Sequence, residues 1–192
     1  NTLAIGEENQ PPVNGTLTRY EEKEGAVYVE AEADWTAPYE MPDSFTIVQW
    51  SEENYKTVKM RRKIIWTDRY WIDVFLADGV PENLYSDWIF HIIGEKIEEK
   101  TDSVKTDGKE LPPDYFVKKP LKYLHDARMH TIDSGSVYKN VYQTGGCRTS
   151  IYGMGNGQTV ITAKGPDNPS VQELNYLLER RTGERVLAVH II

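Results

Sequence analysis

Apolar and polar residues alternate most regularly in the first third of the chain. Between residues 27 and 35, valine, alanine and tryptophan occupy every second position, and Tyr28, Glu30, Glu32 and Asp34 lie between them. Because successive side chains of a strand point to opposite faces, this pattern predicts a strand with one buried and one solvated face. Residues 17–22 can pair with it as a hairpin across the turn at 23–25.

Three further strands are predicted at 45–50, 58–66 and 70–77, so that the N-terminal half forms an antiparallel meander. After them, apolar residues recur at three- and four-residue spacing, which predicts an amphipathic helix over residues 82–99 that packs on this sheet. The apolar stripe of this helix would consist of Leu84, Tyr85, Trp88, Ile89, Ile92, Ile93 and Ile97.

The second half of the chain is predicted to end in a strand–helix–strand unit. Strands are expected at 137–143, 148–152 and 158–163, and a short helix near residue 120. A capping box at Ser170 and Glu173 opens a helix over 170–182, and Gly183 ends it. Residues 186–192 are apolar at consecutive positions, which predicts a strand in the interior of a sheet. The predicted fold class is therefore α+β.

The domain organisation follows from these elements. We expect a flexible tail at 1–13, an antiparallel sheet plus helix at 14–100, a linker or loop at 101–113, and an α+β C-terminal unit at 114–192. The two larger units can also form one continuous domain. The polar tail and the absence of a starting methionine suggest a processed, exported bacterial protein that is extracytoplasmic or secreted. A cytoplasmic location stays open, because a single cysteine also suits a reducing compartment.

Composition and charge exclude some classes of function. The chain has 192 residues, 39% of them hydrophobic, and a net charge of -8. An acidic protein repels phosphate backbones, which argues against general nucleic-acid binding. No apolar run approaches the roughly 18 residues that a membrane-spanning helix needs. The basic cluster within residues 56–63 is interpreted as the solvated face of a strand, with an anion site as the alternative.

A glycine-rich run at 144–157 contains Cys147, the only cysteine. Gly153, Gly155 and Gly157 have the spacing of a phosphate-binding loop, but such a loop needs a helix directly after the glycines, and a strand is predicted there. Asn156 and Gly157 are typical of a hairpin turn between two strands.

Cys147 is the candidate nucleophile of a hypothetical active site. His130 is the candidate base and Asp133 the candidate orienting group, with His125, His190 and Asp126 as alternatives. The competing interpretation is a small packing residue. No metal or cofactor is predicted, because His125 and His130 are five residues apart and would not share a helical face.

The aromatic content favours binding over catalysis. The sequence holds 12 tyrosines and 5 tryptophans, and those that are not in the core could contact a protein or a carbohydrate partner. The candidates are Tyr28, Tyr70, Trp71, Tyr85 and Trp88. The leading hypothesis is a non-catalytic binding or assembly domain, and this hypothesis is compatible with an oligomer. The alternative is a small cysteine-dependent hydrolase or transferase that uses Cys147 with a histidine base.

Overall fold

The protein is built almost entirely of antiparallel strands. The structure is a computed structural model, and it describes residues 2–37, 50–101, 108–118, 121–167 and 172–192. These residues contain one short helix, α1 (Glu52–Tyr55), and one 3-10 helix at Leu121–Tyr123. The fourteen strands found in them are β1 (Thr2–Ile5), β2 (Thr16–Lys23), β3 (Ala26–Asp34), β4 (Lys59–Thr67), β5 (Trp71–Asp78), β6 (Ser86–Ile92), β7 (Glu95–Thr101), β8 (Lys109–Glu110), β9 (His125–Thr131), β10 (Val137–Thr144), β11 (Cys147–Met154), β12 (Thr159–Pro166), β13 (Glu173–Arg181) and β14 (Arg185–Ile191).

The strands form two large sheets. The six-stranded sheet has the order β1-β6-β13-β12-β9-β8, and the eight-stranded sheet has the order β2-β3-β4-β5-β14-β11-β10-β7. Both sheets take strands from both halves of the chain, since β6 pairs with β13 and β5 pairs with β14. The segment 101–113 therefore does not separate one sheet from the other.

The predicted α+β fold class is wrong, and the first reason lies at residues 82–99. Instead of a helix, this segment contains β6 and β7, separated at Gly94, which has a φ of 115°. A short apolar run has no periodicity that distinguishes a buried strand from a helix. Its content of tryptophan, phenylalanine and isoleucine favours the extended chain.

The second predicted helix, over 170–182, is also wrong. Residues 170 and 171 lie outside the described residues, and the rest of the segment contains β13. Leu177 packs in one hydrophobic cluster, whereas Leu178 packs in another. A strand that is buried on both faces places apolar residues at three- and four-residue spacings, and this spacing imitates a helix.

Two hydrophobic clusters explain this double burial. The first draws on strands of both sheets and lies between them, with Trp88, Tyr138 and Val186 among its buried residues. The second covers the opposite face of the six-stranded sheet, where Ile161 packs beneath a segment that contributes Leu111, Phe116, Leu121 and Leu124. The six-stranded sheet is thus covered on both faces.

The start of the chain differs from the expected flexible tail at 1–13. Thr2–Ile5 forms the edge strand β1, which pairs with β6, and Leu3 and Ile5 are fully buried. The Tyr55 hydroxyl donates to the Leu3 carbonyl and accepts from the Ile5 amide. Arg180 then binds Glu7 at 2.9 Å. The apolar pattern of β1 is too short to stand out in a polar context.

Several strands of the N-terminal half are predicted correctly, although β3 is half-buried along its whole length and lacks the expected buried face. The β2–β3 hairpin is confirmed, as are β4 and β5, whereas residues 45–49 of a further expected strand lie outside the described residues. The interior position of the last strand is confirmed too, because β14 lies between β5 and β11. No helix within the described part of the chain is long and apolar enough to cross a membrane.

The predicted hairpin at Asn156–Gly157 is wrong, although the turn exists. Gly157 has a φ of 76° and so uses the backbone freedom of glycine. However, β11 belongs to the eight-stranded sheet and β12 to the six-stranded sheet. The turn therefore connects the two sheets and does not join two paired strands.

Candidate binding cleft

Exposed apolar side chains are concentrated on the eight-stranded sheet. Among the described residues, every large apolar side chain that is both exposed and within a strand belongs to this sheet: Leu17, Tyr20, Trp66, Ile97, Val137, Tyr152, Met154, Leu187 and Ile191. Because a soluble protein gains stability by burying such groups, their accumulation on one sheet marks that sheet as the candidate interaction surface.

A cleft of about 470 Å³ opens at one end of this sheet. Its first wall is the β4–β5 turn, its floor is the end of β14, and its second wall is the first half of β11. The lining residues are Trp66, Thr67, Asp68, Arg69, Tyr70, Trp71, Arg148, Thr149, Ser150, Tyr152, Ile191 and Ile192. We call this site the aromatic cleft.

The first wall is held rigid by the β4–β5 turn. Trp66 and Trp71 are cross-strand partners whose rings stack with centroids 5.3 Å apart and planes 19° apart. Trp71 packs against the cluster between the sheets, whereas Trp66 is 58% exposed. The Thr67 hydroxyl donates to the Tyr70 carbonyl at 2.8 Å and so fixes the turn. The exposed Trp66 indole is therefore held in position by Trp71 and by the turn.

The floor and second wall come from β14 and β11. Ile192 and Trp71 exchange two backbone hydrogen bonds of 2.9 Å, which anchor the end of β14 against β5. On its other side, β14 pairs with β11 at Tyr152 and Gly153. The earlier residues of β11 extend past this pairing, and Tyr152, which is 39% exposed, stands at the junction.

The charge of the cleft is positive, in contrast to that of the whole protein. Arg69 and Arg148 are exposed in its walls, opposed by Asp68, and the Lys139 ammonium lies 5.3 Å from the centre of the Tyr152 ring. Aromatic and cationic side chains together can bind flat apolar groups and carboxylates.

The basic cluster of residues 56–63 does not contribute to this cleft. Lys59 binds Asp34 at 2.6 Å, Arg61 approaches Glu32 at 3.5 Å, and Arg62 binds Asp73 at 2.7 Å. These are cross-strand pairs between β4 and its neighbours. The interpretation of the cluster as a strand surface is confirmed, and its partners are the acidic residues of β3 and β5.

The three candidate catalytic residues are spread over the fold. Cys147 is exposed beside the β10–β11 turn, while Asp133 contacts Gly155 at the opposite end of β11. Seven residue steps of strand separate these ends, or about 23 Å. His130 pairs with Val160 in the other sheet. In the described part of the chain, no hydrogen bond joins Cys147 to a histidine, although Cys147 directly precedes the cleft residue Arg148.

His190 belongs to a buried polar network that sequence reasoning missed. The Glu179 carboxylate is fully buried and accepts hydrogen bonds from the Tyr138 hydroxyl at 2.5 Å and the Gln158 amide at 3.3 Å. The same carboxylate lies 3.0 Å from His190 Nε2 and 2.7 Å from the Arg181 guanidinium. Among the described residues, the groups that bind this carboxylate are all buried or nearly buried.

Electrostatics keep this buried carboxylate charged. Burial alone would raise the pKa of the Glu179 carboxyl, but His190, Arg181 and the Tyr138 hydroxyl outweigh that effect and lower the pKa to about 2. Burial and the neighbouring Glu179 charge raise the pKa of the Tyr138 phenol well above its ordinary value. Tyr138 therefore remains a hydrogen-bond donor.

The predicted aromatic candidates have different locations. Tyr70 and Trp71 line the cleft, Tyr85 is exposed before β6, Tyr28 is half-buried on β3, and Trp88 is buried against His190, with ring centroids 3.8 Å apart. Trp66 and Tyr152 were missed. A signal existed for Trp66, because it and Trp71 flank a four-residue turn symmetrically and must face each other across the hairpin.

Among the described residues, no group of three or more histidine, cysteine, aspartate or glutamate side chains is placed to hold a metal ion. Comparison of the sequence with models of known protein families gave no match, and comparison with curated proteins found no similar sequence.

Proposed function

We propose that this protein is a non-catalytic binding module whose ligand occupies the aromatic cleft. The observation that carries the proposal is the Trp66–Trp71 pair, in which a largely exposed indole stacks on a partly buried one. Tryptophan and tyrosine are enriched at binding interfaces because they bury a large area at a low cost in conformational entropy.

The exposed part of Trp66 is large enough to matter energetically. Burying roughly 100 Å² of aromatic surface contributes about 2.5 kcal/mol before the costs of association. Tyr152 on the opposite wall adds a second contact of the same kind. A ligand that spans the cleft from Trp66 to Tyr152 would gain both contributions.

The experiment uses the indoles of Trp66 and Trp71 as fluorescent reporters of binding. The protein is titrated with glycan and peptide panels while tryptophan fluorescence is recorded, and hits are repeated with Trp66→Ala. We expect at least a tenfold loss of affinity, whereas Tyr123→Ala, an exposed aromatic outside the cleft, should bind normally. Equal affinity of the two variants would contradict the proposal.

Besides a peptide segment of a protein partner, a carbohydrate is the second candidate ligand. The exposed rings of Trp66 and Tyr152 favour it, because aromatic rings provide flat apolar contact surfaces. The same titration separates the two classes of ligand, since the glycan and peptide panels are measured independently.

The enzymatic alternative rests on Cys147, which is exposed beside the cleft. A catalytic thiolate reacts rapidly at neutral pH because its pKa is lowered, whereas an ordinary exposed thiol reacts at the rate of a free cysteine. The rate of modification by a disulfide reagent between pH 5 and 9, compared with glutathione, distinguishes them. On the binding proposal, Cys147→Ser retains ligand affinity.

The proposal includes a place of action outside the cytoplasm. Its support is the polar composition of residues 6–14. Fractionation of the source cells, followed by detection with an antibody, tests this part independently of the cleft.

A further inference from the structure

We infer that a second binding site, separate from the aromatic cleft, takes the phosphate or sulfate ester group of a small organic molecule. The site is a pocket of about 290 Å³ between the two sheets, and we call it the inter-sheet pocket. Among the described residues, it has no lining residue in common with the aromatic cleft. Three cross-strand pairs contribute to it: Lys96 with Tyr142, Arg128 with Thr162, and Lys164 with Asn175.

Each of these pairs combines a cation with a neutral side chain that forms hydrogen bonds. The first pair belongs to the eight-stranded sheet and the other two belong to the six-stranded sheet. Lys96 Nζ donates to Thr162 Oγ1 at 3.2 Å and so joins the two sheets across the pocket. Tyr142 and Thr162 are buried, and the Tyr142 ring packs in the cluster between the sheets. The pocket therefore has a polar base where the inter-sheet core ends.

The strands are irregular on both sides of the inter-sheet pocket. The pairing of β12 with β9 shifts register between Thr162 and Lys164, and the pairing of β10 with β7 shifts register between Val141 and Tyr142. Asp126, which also lines the pocket, has a φ of 50°, a value that few residues other than glycine adopt. Such irregularities redirect side chains and are frequent next to functional sites. Here both sheets redirect theirs towards the same pocket.

The charge of the inter-sheet pocket is positive, although the net charge of the protein is -8. Three cations line it, and Asp126 supplies the one carboxylate among its described lining residues. Lys164 lies 3.7 Å from Glu173. Arg128 is exposed and pairs across the strands with Glu110 on one side, but within the described ranges its guanidinium forms no ion pair. The pocket can therefore accept an anion.

The arrangement of the donors favours a tetrahedral oxyanion. The cations come from three different strands, β7, β9 and β12, and the hydroxyls of Tyr142 and Thr162 lie on β10 and β12. The Thr162 hydroxyl accepts from Lys96 and retains its own hydrogen for donation. A phosphate or sulfate group directs its oxygens to several sides, whereas a planar carboxylate matches a single guanidinium.

The volume of the pocket limits the size of the ligand. A space of about 290 Å³ accommodates roughly ten non-hydrogen atoms, because a water molecule in the liquid has a share of about 30 Å³. A single ester group on a small organic part, of the size of glycerol phosphate, fills this space. We therefore expect a small ester as the ligand.

The test measures the binding of small molecules to the full chain by isothermal titration calorimetry. The probes are glycerol phosphate, glycerol sulfate, acetate and uncharged glycerol. Low ionic strength is used because salt screens exposed charges. We expect at least one of the two esters to bind at least tenfold more tightly than acetate, and glycerol to show no binding.

Three arginine variants locate the bound ester. Arg128→Ala should weaken ester binding at least tenfold, because it removes a cation that donates charge-assisted hydrogen bonds. Arg61→Ala removes the same charge from the surface of β4, and Arg69→Ala removes it from the aromatic cleft. Both controls should bind the ester within about threefold of the original chain.

A fourth variant should increase the affinity. Asp126→Asn removes the opposing carboxylate from the pocket and retains the backbone conformation, because asparagine tolerates a positive φ. We expect the ester to bind at least threefold more tightly, a gain that a purely structural role of Asp126 would not produce. If Arg128→Ala does not fold, as judged by thermal unfolding, Asp126→Asn decides the question.

The pH dependence of binding distinguishes the two esters. A phosphate monoester gains its second negative charge near a pH of about 6, whereas a sulfate ester keeps one charge. Charged groups of the protein, including His125 beside Glu173, act on both esters alike and cancel in the ratio of the two affinities. A ratio that rises in favour of glycerol phosphate between pH 5 and 7.5 assigns the pocket to phosphate, and tighter binding of glycerol sulfate at both pH values assigns it to sulfate.

Several results would overturn the inference. Acetate that binds as tightly as the esters excludes a site for tetrahedral oxyanions, and so does a failure of both esters to bind. Equal losses in Arg128→Ala and Arg61→Ala would show attraction by general surface charge. A loss confined to Arg69→Ala would place the ester in the aromatic cleft. The proposed function is tested separately by Trp66→Ala and does not depend on any of these results.

Discussion

Replacing the buried carboxylate of Glu179 by an amide is the sharpest test of the core. Glu179→Gln retains the shape of the side chain but removes a charge that lies 2.7 Å from Arg181 and 3.0 Å from His190. The guanidinium of Arg181 is then left nearly buried without its counter-charge. Removal of one partner from a buried ion pair destabilises a protein by about 3–5 kcal/mol.

The pKa of Glu179 gives a second value for the stability that its charge contributes. It is lowered from its ordinary value of 4.5 to about 2. This interval corresponds to about 3 kcal/mol of stability that the ionised carboxylate contributes. Because the folded pKa is the lower one, the contribution is complete above pH 4.5 and disappears as the pH falls towards 2.

The assay is urea unfolding of the original chain and of Glu179→Gln at several pH values. At pH 7 we expect the variant to be less stable by about 3 kcal/mol or more, with a melting temperature lower by roughly 6–12 °C. The difference should narrow between pH 4.5 and 3. Glu53→Gln, which removes an exposed ion pair with Lys56, serves as the control and should change nothing measurable. A difference that is equally large at pH 7 and pH 3 would refute the reasoning.

Two further predictions concern packing. A methyl group at Gly153 would lie 2.2 Å from the Tyr138 ring, so Gly153→Ala should lower the free energy of unfolding by about 1–3 kcal/mol. The control is Gly146→Ala, whose methyl group would have no atom within 4 Å and should leave thermal unfolding unchanged. Leu3 is fully buried in β1, so Leu3→Ala should cost about 2–5 kcal/mol in urea unfolding, and an unchanged midpoint would show that the start of the chain is not docked.

The sequence predicts those strands in which charged and apolar residues alternate. In β3 and β4 the solvated face carries charged residues, such as Glu30 opposite Lys63, and their alternation with apolar residues is visible locally. β6 and β13 lack this contrast because the six-stranded sheet is covered on both faces. Which segment covers the second face depends on contacts between distant parts of the chain, and no local pattern encodes them.

The candidate site was predictable only in part, for the same physical reason. Tyr70 and Trp71 were named from composition, and the turn between β4 and β5 is a local feature. The second wall of the cleft depends on the pairing of Tyr152 with Ile191, which are far apart in sequence. The charged and aromatic residues that the cleft collects from β11 could therefore not be assigned to it before the sheet order was known.

The inner and outer faces of β14 have different roles under the proposed function: the inner face contributes to stability and the outer face to ligand binding. Neighbouring residues of β14 show how: His190 points inward to the Glu179 carboxylate and is fully buried, whereas Ile191 points outward to the floor of the cleft. The inner face holds the strand in place, so the outer face can carry exposed apolar groups at little cost in folding stability.

Trp66→Ala should consequently weaken ligand binding with little change in the unfolding midpoint. Glu179→Gln should lower the midpoint while the affinity of the folded protein, measured well below that midpoint, stays within about threefold of the original. If both variants lost stability and affinity together, the cleft would depend on the core network, and the inner and outer faces of β14 would be energetically coupled.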